Sequence, residues 1–151
     1  MIDLTGKHIF IAGGSRGIGA AAASWAAAAG AAVSVNYLRD EKAAAGVVAD
    51  VEAAGGRGFA VQADVAEDGA IDRAVDAAAR RLGPLHGMVV SAGIFEGASL
   101  QDMTAEFWDR TMAINLRGTF LAVRAAARHL RLSGNGGSIV LYTSTAGQRG
   151  S

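Results

Sequence analysis

The sequence predicts an α/β protein, a doubly wound parallel sheet of about five strands with helices on both faces. Three observations support this prediction. Short apolar segments alternate with segments of helix length along the whole chain, as in sheets built from strand–helix–strand units. The apolar segments are almost continuously hydrophobic, which is typical of strands covered on both faces. A glycine-rich turn joins the first predicted strand to the first predicted helix.

The predicted strands are short runs of apolar and β-branched residues, each bounded by glycine or polar residues. Parallel strands of this kind are joined by right-handed crossovers, so we expect the runs to belong to one open sheet. The predicted strands are His8–Ile11, Val33–Tyr37, Arg57–Gln62, Met88–Val90 and Ser138–Tyr142.

Four longer segments between the strands predict helices. The second ends at Gly55 and Gly56, which is a typical helix stop, and the third has apolar residues at helical spacing before Gly83 and Pro84. The predicted helices are Ala20–Ala29, Glu41–Ala54, Ile71–Leu82 and a long one over Thr104–Leu132.

Several side chains on these elements have ordinary structural interpretations. Trp25 and Trp108 stand at helical positions and are predicted to be packing residues. The series Arg124, Arg128 and Arg131 on the fourth helix predicts a solvated face. The histidines are scattered without ligand spacing, so we expect no metal site.

The composition predicts a single globular domain over residues 1–151. Hydrophobic residues make up 51% of the chain and charged residues 19%. The formal net charge is zero, which gives no reason to expect nucleic acid or a membrane surface as a partner. The chain has no cysteine, which excludes disulfides and thiolate chemistry and fits a cytoplasmic protein. The apolar run Ile18–Val35 consists mostly of alanine and glycine, which are too weakly hydrophobic to predict a membrane span.

The glycine turn, Ala12–Gly19, is the most informative segment of the chain. It lies between a predicted strand and a predicted helix, the context in which such a turn binds the pyrophosphate of a dinucleotide. Gly13 is expected to permit the tight turn, Gly17 the close approach of a phosphate, and Gly19 the close contact of helix and strand. The sequence therefore predicts a Rossmann-type dinucleotide-binding turn.

The end of the second strand indicates which dinucleotide is bound. An acidic residue there is typical of NAD proteins, whereas arginine accommodates the 2′-phosphate of NADP. Tyr37 occupies the expected acidic position, Arg39 follows two residues later, and Arg16 lies within the glycine turn. Two guanidinium groups favour NADP(H), with NAD(H) possible, because Asp40 or Glu41 could pair with Arg39 instead.

Five segments, taken in order, resemble the short-chain dehydrogenase/reductase family. The glycine spacing itself matches this family, and four later segments match its motifs in the correct order and cover the whole chain. The matching segments are Gly13–Gly19, Ala63–Val65, Ser91–Gly93, Ile114–Gly118 and Gly137–Gly147.

The resemblance implies an oxidoreductase that moves hydride between a nicotinamide and a carbonyl or alcohol carbon of a small substrate. It places Ser144 as the catalytic serine that donates a hydrogen bond to the substrate oxygen. Asn115 would hold a water of the proton relay through its backbone carbonyl. Further cofactor contacts are implied for the glycine turn and for the loops after strands three and four. These residues are Ser15, Ile18, Asp64, Val65, Ser91, Ala92 and Gly93.

The family also has a Tyr-x-x-x-Lys motif about a dozen residues beyond its serine. This motif is not matched in the present sequence. Neither Tyr37 nor Tyr142 is followed by lysine four residues later. We expect the chain to be the cofactor-binding portion of such an enzyme, inactive alone, with a sheet incomplete at its C-terminal edge. A homo-oligomer is expected for the full-length form, through the Thr104–Leu132 helix. The alternative is a non-catalytic dinucleotide-binding module, or a subunit completed by a partner.

Overall fold

The computed structural model describes residues 2–134 and 136–149. Asn135, in the predicted turn before the last strand, lies outside the described residues. The strands are β1 His8–Ala12, β2 Ala32–Tyr37, β3 Arg57–Gln62, β4 Gly87–Val90 and β5 Ser138–Leu141. The helices are α1 Gly17–Ala28, α2 Glu41–Ala53, α3 Ala70–Leu82, α4 Ala105–Met112, α5 Thr119–Ser133 and α6 Ala146–Arg149, with a π-helical segment at Ala113–Gly118.

The five strands form one parallel sheet in the order β3-β2-β1-β4-β5. From β1 the chain proceeds outward to β3 and then crosses back to place β4 on the other side of β1. Ile11 is in register with Val35 of β2 and with Val89 of β4. The strand order therefore reverses between β1 and β4, and sheets of this type bind ligands at the carboxyl ends of the strands beside that reversal.

Both faces of the sheet are covered, which confirms the predicted doubly wound class. Phe10 and Ile11 are adjacent in β1, and both are fully buried, but they belong to separate hydrophobic clusters. Phe10 packs in the cluster that contains residues of α3 and α5, such as Val75 and Ala125. Ile11 packs in the cluster that contains residues of α1 and α2, such as Ala23.

Helix caps agree with the local sequence. Asp40 caps α2 by accepting a hydrogen bond from the Ala43 N–H at 2.9 Å, and the Thr104 hydroxyl caps α4 by accepting one from Phe107 at 3.1 Å. Such caps satisfy backbone donors that have no partner within the helix. Asp40 is therefore occupied as a cap and does not pair with Arg39.

The predicted long helix is interrupted. The backbone passes from α4 through the π-helical segment Ala113–Gly118 into α5. A π-helical segment accommodates one extra residue in the turn, and such segments occur frequently at functional sites. The spacing of apolar residues along the sequence did not reveal the π-helical segment, because the apolar residues on either side of it remain close to helical spacing.

The predicted environments of both tryptophans were wrong. Trp25 is 77% exposed and Trp108 is 57% exposed, so neither is a core packing residue. The arginine face of α5 is exposed, and Arg124 and Arg128 form surface ion pairs there with carboxylates on α3 or just before it. Arg124 lies 2.6 Å from Asp68, and Arg128 lies 3.1 Å from Asp76.

The last strand forms one edge of the sheet. Val140 and Leu141 of β5 are about half exposed, at 46% and 48%. No helix within residues 2–134 or 136–149 is both long enough and apolar enough to cross a membrane.

Candidate functional site

The N-terminus of α1 lies directly after the glycine turn at the carboxyl end of β1. Arg16 occupies the N-cap position with extended backbone, and its side chain makes no capping hydrogen bond. The first turn of α1 contains no acidic residue. In any α-helix the N–H groups of the first turn have no acceptor within the helix. In α1 the N-cap side chain does not accept a hydrogen bond from them either. This end of the helix can therefore receive an anion.

The three motif glycines of the turn have different surroundings. Gly13 has a φ of +76° and lies against the next loop, since a Cβ there would be 2.6 Å from the Ala92 backbone. Gly17 has a φ of +56°, and a Cβ there would meet nothing within 4 Å. A Cβ at Gly19 would overlap the carbonyl oxygen of Gly13. The turn therefore packs tightly against Gly19, whereas the space beside Gly17 contains no protein atom.

The end of β2 places Tyr37 and Arg39 beside this turn, because β2 is the neighbour of β1. Burial raises the pKa of Tyr37, and the negative charge of the nearby Glu41 raises it further, so the phenol remains protonated. Arg16 and Arg39 are exposed, and neither forms an ion pair within the part of the chain that the structure describes.

The loop after β3 holds Asp64 and Val65. The Asp64 carboxylate accepts a hydrogen bond from the Ala66 N–H at 2.8 Å, which fixes its position in the loop. Val65 is buried beneath the π-helical segment, and a Cβ on Gly118 would lie 2.9 Å from its side chain. A cleft of about 400 Å³ opens beside this loop, lined among others by Leu38, Gln62 and Asp64.

The loop after β4 contacts both the glycine turn and the π-helical segment. The Ser91 N–H donates to the carbonyl of Ala12 at 2.9 Å, and Ala92 lies against Gly13. A Cβ on Gly93 would lie 3.3 Å from the Asn115 side-chain oxygen, so only a small residue fits there comfortably.

Asn115 uses its side chain to hold the loop that follows β4. Its Oδ1 accepts from the Ile94 N–H at 2.8 Å, and its Nδ2 donates to the Ile94 carbonyl at 2.8 Å. The backbone carbonyl of Asn115 accepts from the Thr119 hydroxyl at 2.8 Å. A carbonyl oxygen has two lone pairs, so this bond leaves capacity for a second donor.

Ser144 lies in the exposed segment between β5 and α6. Its Oγ accepts from the Ala146 N–H at 3.1 Å, which leaves its hydroxyl hydrogen free to donate. No hydrogen bond joins Ser144 to Asn115 within residues 2–134 and 136–149. Direct contacts therefore join the loops after β1, β2, β3 and β4, and Ser144 follows β5 at the same carboxyl edge, beside β4.

One residue of this edge was missed by the sequence analysis. Asn36 is 1% exposed within the apolar strand β2, and its side chain accepts from the Gly13 N–H at 3.2 Å. The sequence did contain a signal, an amide side chain within a strand that is covered on both faces. A buried amide of this kind must have hydrogen-bond partners.

The described residues hold no group of three or more His, Asp or Glu side chains that suits a metal ion. The functional groups that meet at the carboxyl edge are backbone N–H groups, arginines, a carboxylate and hydroxyls.

An open parallel sheet with a glycine turn at the reversal of strand order defines a protein of the Rossmann-type class. The family model described as short chain dehydrogenase matches residues 7–151. The chain belongs to the short-chain dehydrogenase/reductase family, as the resemblance predicted.

Similar proteins agree on family and fold. An uncharacterized oxidoreductase from Methylorubrum extorquens is 41% identical over 144 residues, which cover 95% of this chain and 57% of that protein. A dehydrogenase/reductase from Sinorhizobium meliloti is 43% identical, with a TM-score of 0.92 over 97% of this chain and 57% of the other. A short chain dehydrogenase from Burkholderia cenocepacia, solved in complex with NADP, is 45% identical, with a TM-score of 0.90 over 97% of this chain and 58% of the other.

The chain spans just over half the length of these relatives. The family-model match, over residues 7–151, includes the glycine turn, the five strands and the segment that contains Ser144.

Proposed function

We propose that residues 1–151 form a single domain, the cofactor-binding part of an NADP(H)-dependent oxidoreductase of this family. The observation that carries the proposal is the start of α1, where no side chain caps the first turn and Gly17 leaves open space in front of it. This arrangement fits a dinucleotide pyrophosphate, which needs free N–H donors and close backbone approach.

The glycine turn would bind the phosphates. The N–H groups of Gly17, Ile18 and Gly19 belong to the first turn of α1 and are the available donors. Gly13 gives the turn its shape, and Ser15 adds a hydroxyl near the first helical residues. The Arg16 guanidinium adds positive charge beside the same phosphates.

Tyr37 and Arg39 would face the adenosine ribose. The protonated Tyr37 phenol lacks the carboxylate that holds the two ribose hydroxyls of NAD. Arg39 and Arg16 follow the carboxyl ends of adjacent strands, and their charge favours a 2′-phosphate. The NADP bound to the Burkholderia cenocepacia neighbour supports the same preference, with NAD(H) as the weaker ligand.

The loops after β3 and β4 would position the two ends of the dinucleotide. Asp64 lines the cleft next to β3, and Asp64 and Val65 would contact the adenine. Ser91, Ala92 and Gly93 follow β4, beside the reversal of strand order, and would line the nicotinamide side. The loop after β3 is held against the π-helical segment, because Val65 packs under Gly118.

The bound cofactor would supply or accept hydride at the carbonyl or alcohol carbon of a small-molecule substrate. Ser144 would donate its free hydroxyl hydrogen to the substrate oxygen, where negative charge develops. Asn115 would hold a water on the second lone pair of its backbone carbonyl.

Proton donation in this family requires a tyrosine with a lysine four residues later, and neither Tyr37 nor Tyr142 has one. We therefore expect the 151-residue chain to bind cofactor without turnover. A homo-oligomeric full-length form and a cytoplasmic location stay predictions.

The proposal is tested by titrating the chain with NADPH and with NADH, following nicotinamide fluorescence. Arg39→Ala is expected to weaken NADPH binding by about tenfold or more, because a charge-assisted hydrogen bond contributes about 1.5–3 kcal/mol. NADH binding should change little. Arg80→Ala is the matched control, since Arg80 is an exposed arginine in the last turn of α3.

Tight and equal binding of the two dinucleotides would contradict the NADP(H) preference. Absence of binding to either would contradict the proposed function itself. Binding by the full-length protein with no carbonyl reduction would favour the non-catalytic module.

A further inference from the structure

Asn36 is an amide side chain buried in the middle of the sheet. It is 1% exposed and stands in β2, between the two strands whose following loops would hold the phosphates and the adenine. Within the described residues, every buried side-chain polar atom has a hydrogen-bond partner, including both ends of this amide. Asn36 uses them to connect two different loops.

The acceptor end of Asn36 faces the glycine turn. Its Oδ1 accepts from the Gly13 N–H at 3.2 Å, and its backbone carbonyl accepts from the Gly14 N–H at 2.8 Å. The first two glycines of the glycine turn are therefore hydrogen-bonded to a single residue of β2.

The donor end of Asn36 faces β3 and the loop that follows it. Its Nδ2 donates to the carbonyl of Ala63 at 3.1 Å and to that of Val61 at 3.3 Å. Ala63 directly precedes Asp64. The orientation of the amide is determined by these partners, because an N–H group requires the oxygen and the carbonyls require the NH₂ group.

We propose that Asn36 is a positioning residue for dinucleotide binding, which holds the glycine turn and the Ala63–Val65 loop at a fixed separation. This inference rests on the proposed function. Gly13 and Gly14 already donate to Asn36, so a phosphate would be bound by N–H groups further along the turn and in the first turn of α1, and Asn36 fixes their orientation. A preformed site avoids the entropic cost of ordering two loops when the ligand binds.

Ser34 provides a matched control on the same strand and the same face. It is fully buried, and its hydroxyl hydrogen-bonds the His8 Nε2 at 2.8 Å, at the opposite end of the sheet from the site. Asn36→Ala and Ser34→Ala each remove one buried polar group from β2. Only Asn36→Ala removes a link between the two loops.

The experiment titrates wild type and both variants with NADPH and measures the free energy of unfolding of each by urea. Both variants are expected to lose stability. Asn36→Ala should raise the Kd for NADPH by about tenfold, the size of one net hydrogen bond's effect, while Ser34→Ala should stay within about twofold of wild type. Equal affinities of wild type and Asn36→Ala, or an equal loss in Ser34→Ala, would overturn the positioning role.

A second variant keeps the test decisive if Asn36→Ala does not fold. Asn36→Asp retains the shape and the acceptor but, when ionised, cannot donate to Ala63 or Val61. Its affinity relative to wild type should be lowest near pH 8 and should recover as the pH falls, because a protonated carboxyl regains one donor. A ratio to wild type that does not change with pH would overturn the inference. Failure of the wild type itself to bind NADPH would overturn the proposed function and this inference together.

Discussion

Two of the helical glycines, Gly19 and Gly46, allow the same substitution to be tested with opposite expected signs. Neither has a positive φ, so alanine is compatible with the backbone at both positions. In a helix interior alanine is favoured over glycine by about 1 kcal/mol, which predicts stabilisation when nothing else changes. The surroundings of the added methyl group therefore decide the result.

At Gly19 the new Cβ would overlap the Gly13 carbonyl oxygen and lie 3.0 Å from both the Gly13 carbonyl carbon and the Gly14 Cα. These are backbone atoms, so the glycine turn must shift as a whole. Overpacking of this kind costs about 1–3 kcal/mol, and because the contact is with backbone we expect the upper part of this range. After subtraction of the helix preference, Gly19→Ala should lower the free energy of unfolding by about 2 kcal/mol.

At Gly46, on the exposed side of α2, the added Cβ would meet nothing within 4 Å. Gly46→Ala should raise the free energy of unfolding by about 0.4–1 kcal/mol. Urea unfolding followed by circular dichroism measures both changes under one set of conditions. Stabilisation by Gly19→Ala, or a loss at Gly46 as large as that at Gly19, would refute the reasoning from contacts.

Three further predictions concern ligand access, pH and the sheet edge. Gly17→Ala should weaken NADPH binding strongly in a titration, because the added methyl group occupies the space in front of α1. It should cost only about 1–2 kcal/mol of stability, from the positive φ, since the methyl group meets no protein atom. Unchanged affinity would argue against a phosphate there. Burial lowers the pKa of His8 below its usual 6.5, so the folded protein favours the neutral imidazole. This stabilises the fold above about pH 6.5. The contribution is lost as the pH falls, because the unfolded chain takes up the proton more readily than the folded protein. Urea unfolding between about pH 7.5 and pH 5 should show that loss in wild type and a flatter dependence in His8→Gln, whereas identical slopes would contradict it. The 151-residue chain should associate on size-exclusion chromatography, because β5 is an edge strand with Val140 and Leu141 about half exposed, and a sharp monomer peak would count against this.

The layers of the fold follow from the residues of single strands and turns. Adjacent apolar residues such as Phe10 and Ile11 can both be buried only if helices cover both faces of the sheet, so the composition of single strands predicted the doubly wound class. The glycine turn was equally visible, because a turn between a strand and a helix is a local feature. Both are properties of neighbouring residues along the chain.

Which loops contact each other depends on how distant segments are arranged in space. The Asn36 amide meets Gly13 and Ala63 because the strand order β3-β2-β1 brings their loops side by side. Asn115 meets Ile94 because the connection between β4 and β5 folds back on itself. Apolar periodicity reports which face of an element is buried, but it does not identify the partner of a polar group 20 or more residues away. The exposure of Trp25 was decided in the same way, since a large apolar residue on a helix is buried only where another element packs against it.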